Sequence, residues 1–233
     1  IIVGSHTLGR LIARIFQERG ESAVLIDTDP EACKVAEQEN LRVFLSSALD
    51  TKVLEDAGLA AAGTFISMTN NGEVNLVLAQ RAVEEFSPPR VLAVFPRDPL
   101  NPNNSKKIQQ AFVPHLQIKT WNEYLNDGKV KLGKTELKEE GFAFQQAHLQ
   151  ALIHSGEFVP LLMERDERLV IVPAAEEWQI GDRIIYLLHD LRPNLLKRLS
   201  GATPSSPLTL EKLPKVEEVP IPYPAREPYL EKA

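Results

Sequence analysis

The chain has 233 residues, 43% hydrophobic and 25% charged, with a formal net charge of -6; this length suits one larger and one smaller globular unit. The negative balance argues against a nucleic-acid surface, which carries a basic footprint, and no apolar run approaches the roughly eighteen residues of a membrane-crossing helix. The single cysteine, Cys33, excludes an internal disulfide and fits a reducing compartment as a small packing residue.

The first thirty residues carry the strongest pattern. Apolar Ile1-Ile2-Val3 meets Gly4-Ser5-His6-Thr7-Leu8-Gly9, a helix follows over 7–19, and Ala23-Val24-Leu25-Ile26 forms a second apolar run that stops at Asp27. Strand, glycine turn, helix and parallel strand ending in a carboxylate is the order of a dinucleotide-binding unit. A helix N-terminus presents unpaired N–H groups and roughly half a positive charge, which attract a phosphate. Gly4 turns the chain off the strand and Gly9 lets the helix pack close to the sheet. His6 stands where the G-x-G-x-x-G pattern has its middle glycine; an imidazole there crowds the loop but can also donate to a phosphate oxygen. Asp27 falls eighteen residues past Gly9, near the spacing of an acid that accepts from ribose hydroxyls. Arg10, in the first turn, reads equally as a phosphate ligand or a solvated side chain.

Alternation continues downstream. Leu8, Leu11, Ile12, Ile15 and Phe16 form the packing stripe of the first helix. A second helix is expected over 30–39, a strand over 42–45, a helix over 52–57, a strand over 64–68, a helix over 73–86 and a fifth strand over 90–95. This predicts a parallel sheet covered by helices, with ligands outside the carboxyl ends of the strands where strand order reverses. The lining expected there is Gly4 to Gly9, Asp27, Asp29, Ser46, Ser47, Ala48, Thr69, Asn70 and Asn71, a set suited to a sugar-phosphate.

Three blocks extend the pattern: Leu25-Ile26-Asp27-Thr28-Asp29-Pro30-Glu31, Val53-Leu54-Glu55-Asp56-Ala57-Gly58-Leu59 and Met68-Thr69-Asn70-Asn71-Gly72-Glu73-Val74-Asn75-Leu76. With the glycine turn they resemble the RCK domain (regulator of K+ conductance, also called TrkA-N) of potassium channels, potassium uptake systems and cation:proton antiporters, over about residues 1–115. The resemblance implies a Rossmann-like doubly wound fold. It also implies Gly4, Ser5, His6, Thr7, Leu8 and Gly9 at phosphate, Asp27 and Asp29 at ribose or base, and Ala48 beside adenine; Thr28, Ser47, Thr69 and Asn70 complete the expected binding set. Relative to the family, His6 replaces a glycine, Ser46-Ser47 replace Gly-Asp, and Phe95 stands where many members have arginine.

Further on, residues 96–104 read as a loop, 106–112 and 121–126 as short helices, and 126–141 as a charged, glycine-containing linker. Apolar segments at 147–153, 158–163, 169–172 and 183–188, punctuated by Gly156, Asp166 and Gly181-Asp182, predict a small β-rich subdomain over 142–190; its last strands resemble the RCK C-terminal subdomain. Residues 191–233 hold seven prolines between Pro204 and Pro228 and are expected to be largely extended or disordered. The histidines show no paired spacing, there is no metal-type Cys/His cluster, and the P-loop pattern is absent.

These features lead to a non-enzymatic sensor: a cytoplasmic regulatory domain of a cation transport protein that binds an adenine nucleotide or dinucleotide (NAD/NADH, ATP/ADP or AMP). The expected partners are a second copy or larger ring of RCK domains, paired through about 105–125, and a membrane ion-transport domain in the same polypeptide. The opening without methionine, inside a strand, fits a piece of a longer protein. A free-standing peripheral subunit of a potassium uptake system and an NAD-dependent oxidoreductase are the alternatives.

Overall fold

The computed structural model describes residues 1–95, 107–189 and 217–219. Ile2–Val3 (β1), Val24–Asp27 (β2), Arg42–Leu45 (β3), Thr64–Ser67 (β4), Arg90–Ala93 (β5) and Ile108–Gln110 (β6) form one parallel sheet in the order β3-β2-β1-β4-β5-β6. Strand order reverses at β1, which pairs with β2 on one side and β4 on the other. Successive residues of a strand face opposite sides. Accordingly Leu25 and Ile66 join one core with Leu8, Leu11 and Ile12, while Val24, Ile26 and Phe65 join a second with Leu54, Leu59 and Leu78.

The helices between these strands begin where local chemistry favours it. Thr7–Glu18 (α1) buries the expected stripe. Pro30–Gln38 (α2) has Asp29 as its cap, accepting from the Glu31 N–H, with proline in the first turn. Thr51–Asp56 (α3) is capped by Asp50, and Gly72–Glu85 (α4) by Asn71, which accepts from Glu73 and Val74. The expected helix-covered parallel sheet is therefore present.

The second sheet is antiparallel. It comprises Val130–Glu136 (β7), Phe158–Arg165 (β8), Arg168–Ile171 (β9), Arg183–His189 (β10) and Glu217–Val219 (β11), in the order β11-β7-β10-β8-β9. Two helices accompany it, Ile118–Asn126 (α5) and Phe142–His154 (α6). Gly133 lies opposite Tyr186 on β10, and a Cβ there would come within 2.5 Å of the phenol ring. Asp182, fully buried ahead of β10, accepts from the Gln179 N–H and from both arms of the Arg165 guanidinium at 2.7 Å.

The sheets share a core. Val130, Leu132, Leu161, Ile185 and Leu187 pack with Ile118, Trp121 and Leu125 of α5 and with the α1 stripe. Backbone bonds from Phe112 N–H to the Val172 carbonyl and from Ala174 N–H to the Gln110 carbonyl, both 2.8 Å, fasten β6 to the segment after β9. On the outside, Arg19, which caps the C-terminus of α1, pairs with Glu164 of β8 at 3.1 Å.

Three sequence expectations change, and the tail supplies one extended strand. The helix expected over 106–112 is β6, because Val91 to Ala93 offer a free edge that Ile108 to Gln110 complete. The linker expected over 126–141 contains β7, paired with β10 along its whole length. The strand expected over 147–153 lies within α6. Within the proline-rich tail, 217–219 is a strand on the β7 edge. The 96–104 loop and the rest of the tail fall outside the described residues.

Candidate functional site

Gly4 leaves β1 with φ +121, a conformation that favours glycine, and its N–H bonds the Ile26 carbonyl. A Cβ on Gly9 would lie 2.0 Å from the Gly4 carbonyl oxygen, so only glycine permits this approach of α1 to the sheet. The turn sits at the carboxyl ends of the strands, at the reversal of strand order, where open α/β sheets bind ligands.

Asp27, at the end of β2, closes the turn from the other side. Its Oδ2 accepts from the Ser5 backbone N–H at 2.6 Å and from Ser5 Oγ at 3.0 Å, and its Oδ1 accepts from the Asp29 N–H at 3.0 Å. Arg10 points inward, its Nη1 donating to the Ser5 carbonyl at 2.7 Å and its Nε lying 3.3 Å from Glu39. It braces the turn from beneath and is buried, not solvated.

His6 caps α1. Its Nδ1 accepts from the Gly9 N–H at 3.3 Å, and its Nε2 lies 2.6 Å from the Met68 carbonyl at the end of β4. These partners assign the neutral tautomer protonated on Nε2. Burial pushes the imidazole below the ordinary histidine value, against the opposing pull of the Met68 bond and the Asp27 charge. The ring thus spans the gap between the β1 turn and β4.

Two donors on the first turn of α1 are taken by α5. The Leu8 N–H donates to Asn122 Oδ1, and Thr7 Oγ1 donates to Asn126 Oδ1, both at 2.8 Å. Sequence reading missed these partners, which lie more than a hundred residues from the turn.

The remaining expected residues gather at the same end of the sheet. Thr28 and Asn70 are exposed, and Asp29 is committed to capping α2. Ser47 Oγ accepts from the Leu49 N–H, and Ala48 is buried. Thr69 is held through its N–H and Oγ1 by Asn75 Oδ1. Asn75, fully buried, also donates to the Thr69 and Val94 carbonyls. It ties the ends of β4 and β5 together, and its sequence signal is a polar residue on the face of α4 that buries Leu78, Ala79 and Ala82.

Topology and glycine turn define residues 1–95 and 107–114 as a Rossmann-like domain. The model of the TrkA-N domain family matches residues 1–114, just under half of the chain. The chain is 26% identical over 151 residues to the glutathione-regulated potassium-efflux system protein KefC of Cronobacter sakazakii, covering 65% of this chain but only 23% of that protein. Among solved structures, the TrkA-N domain of the Escherichia coli inner membrane protein ybaL matches with a TM-score of 0.43 and 16% identity, covering 54% of this chain and 92% of that one. The GsuK channel bound to NAD matches with a TM-score of 0.38 and 15% identity, covering 88% of this chain and 40% of that one.

Among the described residues no helix is long and apolar enough to cross a membrane.

Proposed function

We propose that the chain is a nucleotide-sensing regulatory domain of a cation transport protein, acting at the cytoplasmic face of the membrane. The observation that carries this reading is the Gly4 to Gly9 turn at the reversal of strand order, with Asp27 beside it and Thr28, Ser47, Ala48, Thr69 and Asn70 at the same end of the sheet. The ligand is an adenine nucleotide or dinucleotide: its phosphates meet the first turn of α1, and its ribose meets the free lone pairs of Asp27 or Thr28. Relationship to KefC supports a transport partner, and the domain acts as a dimer or larger ring beside the membrane part of the transporter.

The turn's chemistry favours sensing over catalysis. The imidazole of His6 is engaged at both ring nitrogens by the protein's own groups, whereas a general acid or base must reach the substrate. A bound ligand shifts a conformational equilibrium by as much as its affinity differs between the two states.

Calorimetry on the 233-residue chain with NAD, NADH, ATP, ADP and AMP tests the reading. Saturable binding of at least one, weakened about tenfold or more by Asp27→Ala through loss of hydrogen bonds, is expected. No saturation by any of the five at millimolar concentration overturns it.

A further inference from the structure

The first turn of α1 is already occupied. Asn122 accepts from the Leu8 N–H, Asn126 accepts from Thr7 Oγ1, and the His6 ring accepts from the Gly9 N–H. Amide carbonyl oxygens are neutral acceptors, so a doubly charged phosphate oxygen set competes with them for the same donors and gains more from the helix dipole.

Part of the opposite side of α5 borders a cavity. At 100° per residue, Asn122 and Asn126 share one stripe, while Thr120 and Tyr124 point about 160° away from it. Thr120, Trp121 and Tyr124 line a cavity of about 540 Å³ between α5, α6 and the second sheet. Beyond it, Tyr124 stacks on His189 of β10 with ring centroids 3.7 Å apart, and Trp121 meets the same imidazole edge-on at 6.4 Å. The cavity leaves α5 room to shift along that side, and such a shift changes the Tyr124–His189 stack.

We propose that α5 is a built-in competitor for the ligand: Asn122 and Asn126 hold the phosphate-binding donors of α1, and ligand entry shifts α5 along the cavity, changing the packing of Trp121 and Tyr124 on His189. This rests on the nucleotide reading above. It gives that reading a route from the glycine turn to the second sheet through one two-faced helix.

The test uses the full 233-residue chain in a Trp178→Phe background, so that Trp121 is the only tryptophan. NAD and AMP are titrated by calorimetry and by Trp121 emission. Asn122→Ala with Asn126→Ala removes the competing acceptors and is expected to tighten binding on the order of tenfold, about the worth of two ordinary hydrogen bonds. Asn122→Asp puts a charged acceptor on the same N–H and is expected to weaken binding by about tenfold. The opposite signs separate competition from a general loss of folding. Trp121 emission is expected to shift on saturation, and to be shifted already in the ligand-free double variant. Equal affinities in all three proteins with unchanged Trp121 emission overturn the competitor while leaving nucleotide binding intact. No saturation in any of them overturns both.

Discussion

Replacing Gly9 with alanine is the sharpest test of how the glycine turn is built. The added Cβ would sit 2.0 Å from the Gly4 carbonyl oxygen, against a floor near 3.0 Å for real Cβ contacts, and 3.1 Å from the carbonyl carbon. That oxygen belongs to backbone fixed by the Gly4 bond to Ile26, so it cannot swing away as a side chain would. Relief requires α1 to lift by about 1 Å, and Leu8, Leu11 and Ile12, all fully buried, lift with it. Overpacking of this kind costs about 1–3 kcal/mol, and the upper end applies where backbone must move. Alanine's better helix propensity returns about 1 kcal/mol, leaving a net loss of about 2 kcal/mol. Gly63→Ala is the control, since that glycine has no neighbour within 4 Å and no left-handed φ; its stability is expected to hold or rise by about 0.4–1 kcal/mol. Urea unfolding followed by circular dichroism measures both. A Gly9→Ala loss below about 0.5 kcal/mol would refute the close approach of α1 to β1.

Three further outcomes are expected. Asn75→Ala strands the Thr69 N–H and the Val94 carbonyl in the interior and should cost about 3 kcal/mol in urea unfolding; a loss under about 1 kcal/mol would show that these groups find other partners. Asp182→Ala leaves Arg165 without its two-armed acceptor and should cost about 3 kcal/mol, and a thermal melt matching wild type contradicts it. Because burial lowers the His6 pKa, the unfolded chain binds this proton more readily than the folded one. The stability contributed by the neutral ring is therefore complete above the ordinary histidine value of about 6.5 and is lost as pH falls toward the folded value. His6→Asn, which can still cap the helix, should lose less stability than wild type between pH 7.5 and pH 5, as read from the two urea midpoints; parallel losses would remove His6 as the cause.

The first half of the fold was legible because its signals are local. The stripe Leu8, Leu11, Ile12 and Ile15 has helical period, Asp29-Pro30 and Asn71-Gly72 start helices by their own chemistry, and Gly4 and Gly9 mark the turn. β6 was not legible, since Ile108-Gln109-Gln110 becomes a strand only by adding to β5. In β7 burial falls on both faces, at Val130 and Leu132 on one and at Gly133 and Thr135 on the other, and the lysines at 131 and 134 interrupt both, so no simple alternation announces the strand. α6 has apolar residues on several sides, yet buries only Gln145 and Leu149, so no stripe announces it. At the site, the sequence indicates that His6 departs from glycine, but not that its ring reaches Met68. The same limit hides Asn122 and Asn126, whose partners are 114 and 119 residues away.

The absence of a side chain at position 133 does more than make room for a phenol. β7 and β10 are separated by a long stretch of chain, and either could slide by two residues while keeping the same faces inward. Any such slide would set Tyr186, which also packs on Phe158, over Lys131 or Thr135. One missing methyl thereby acts as an alignment key for two strands far apart in sequence, and it fixes where the next strand edge is offered to residues 217–219.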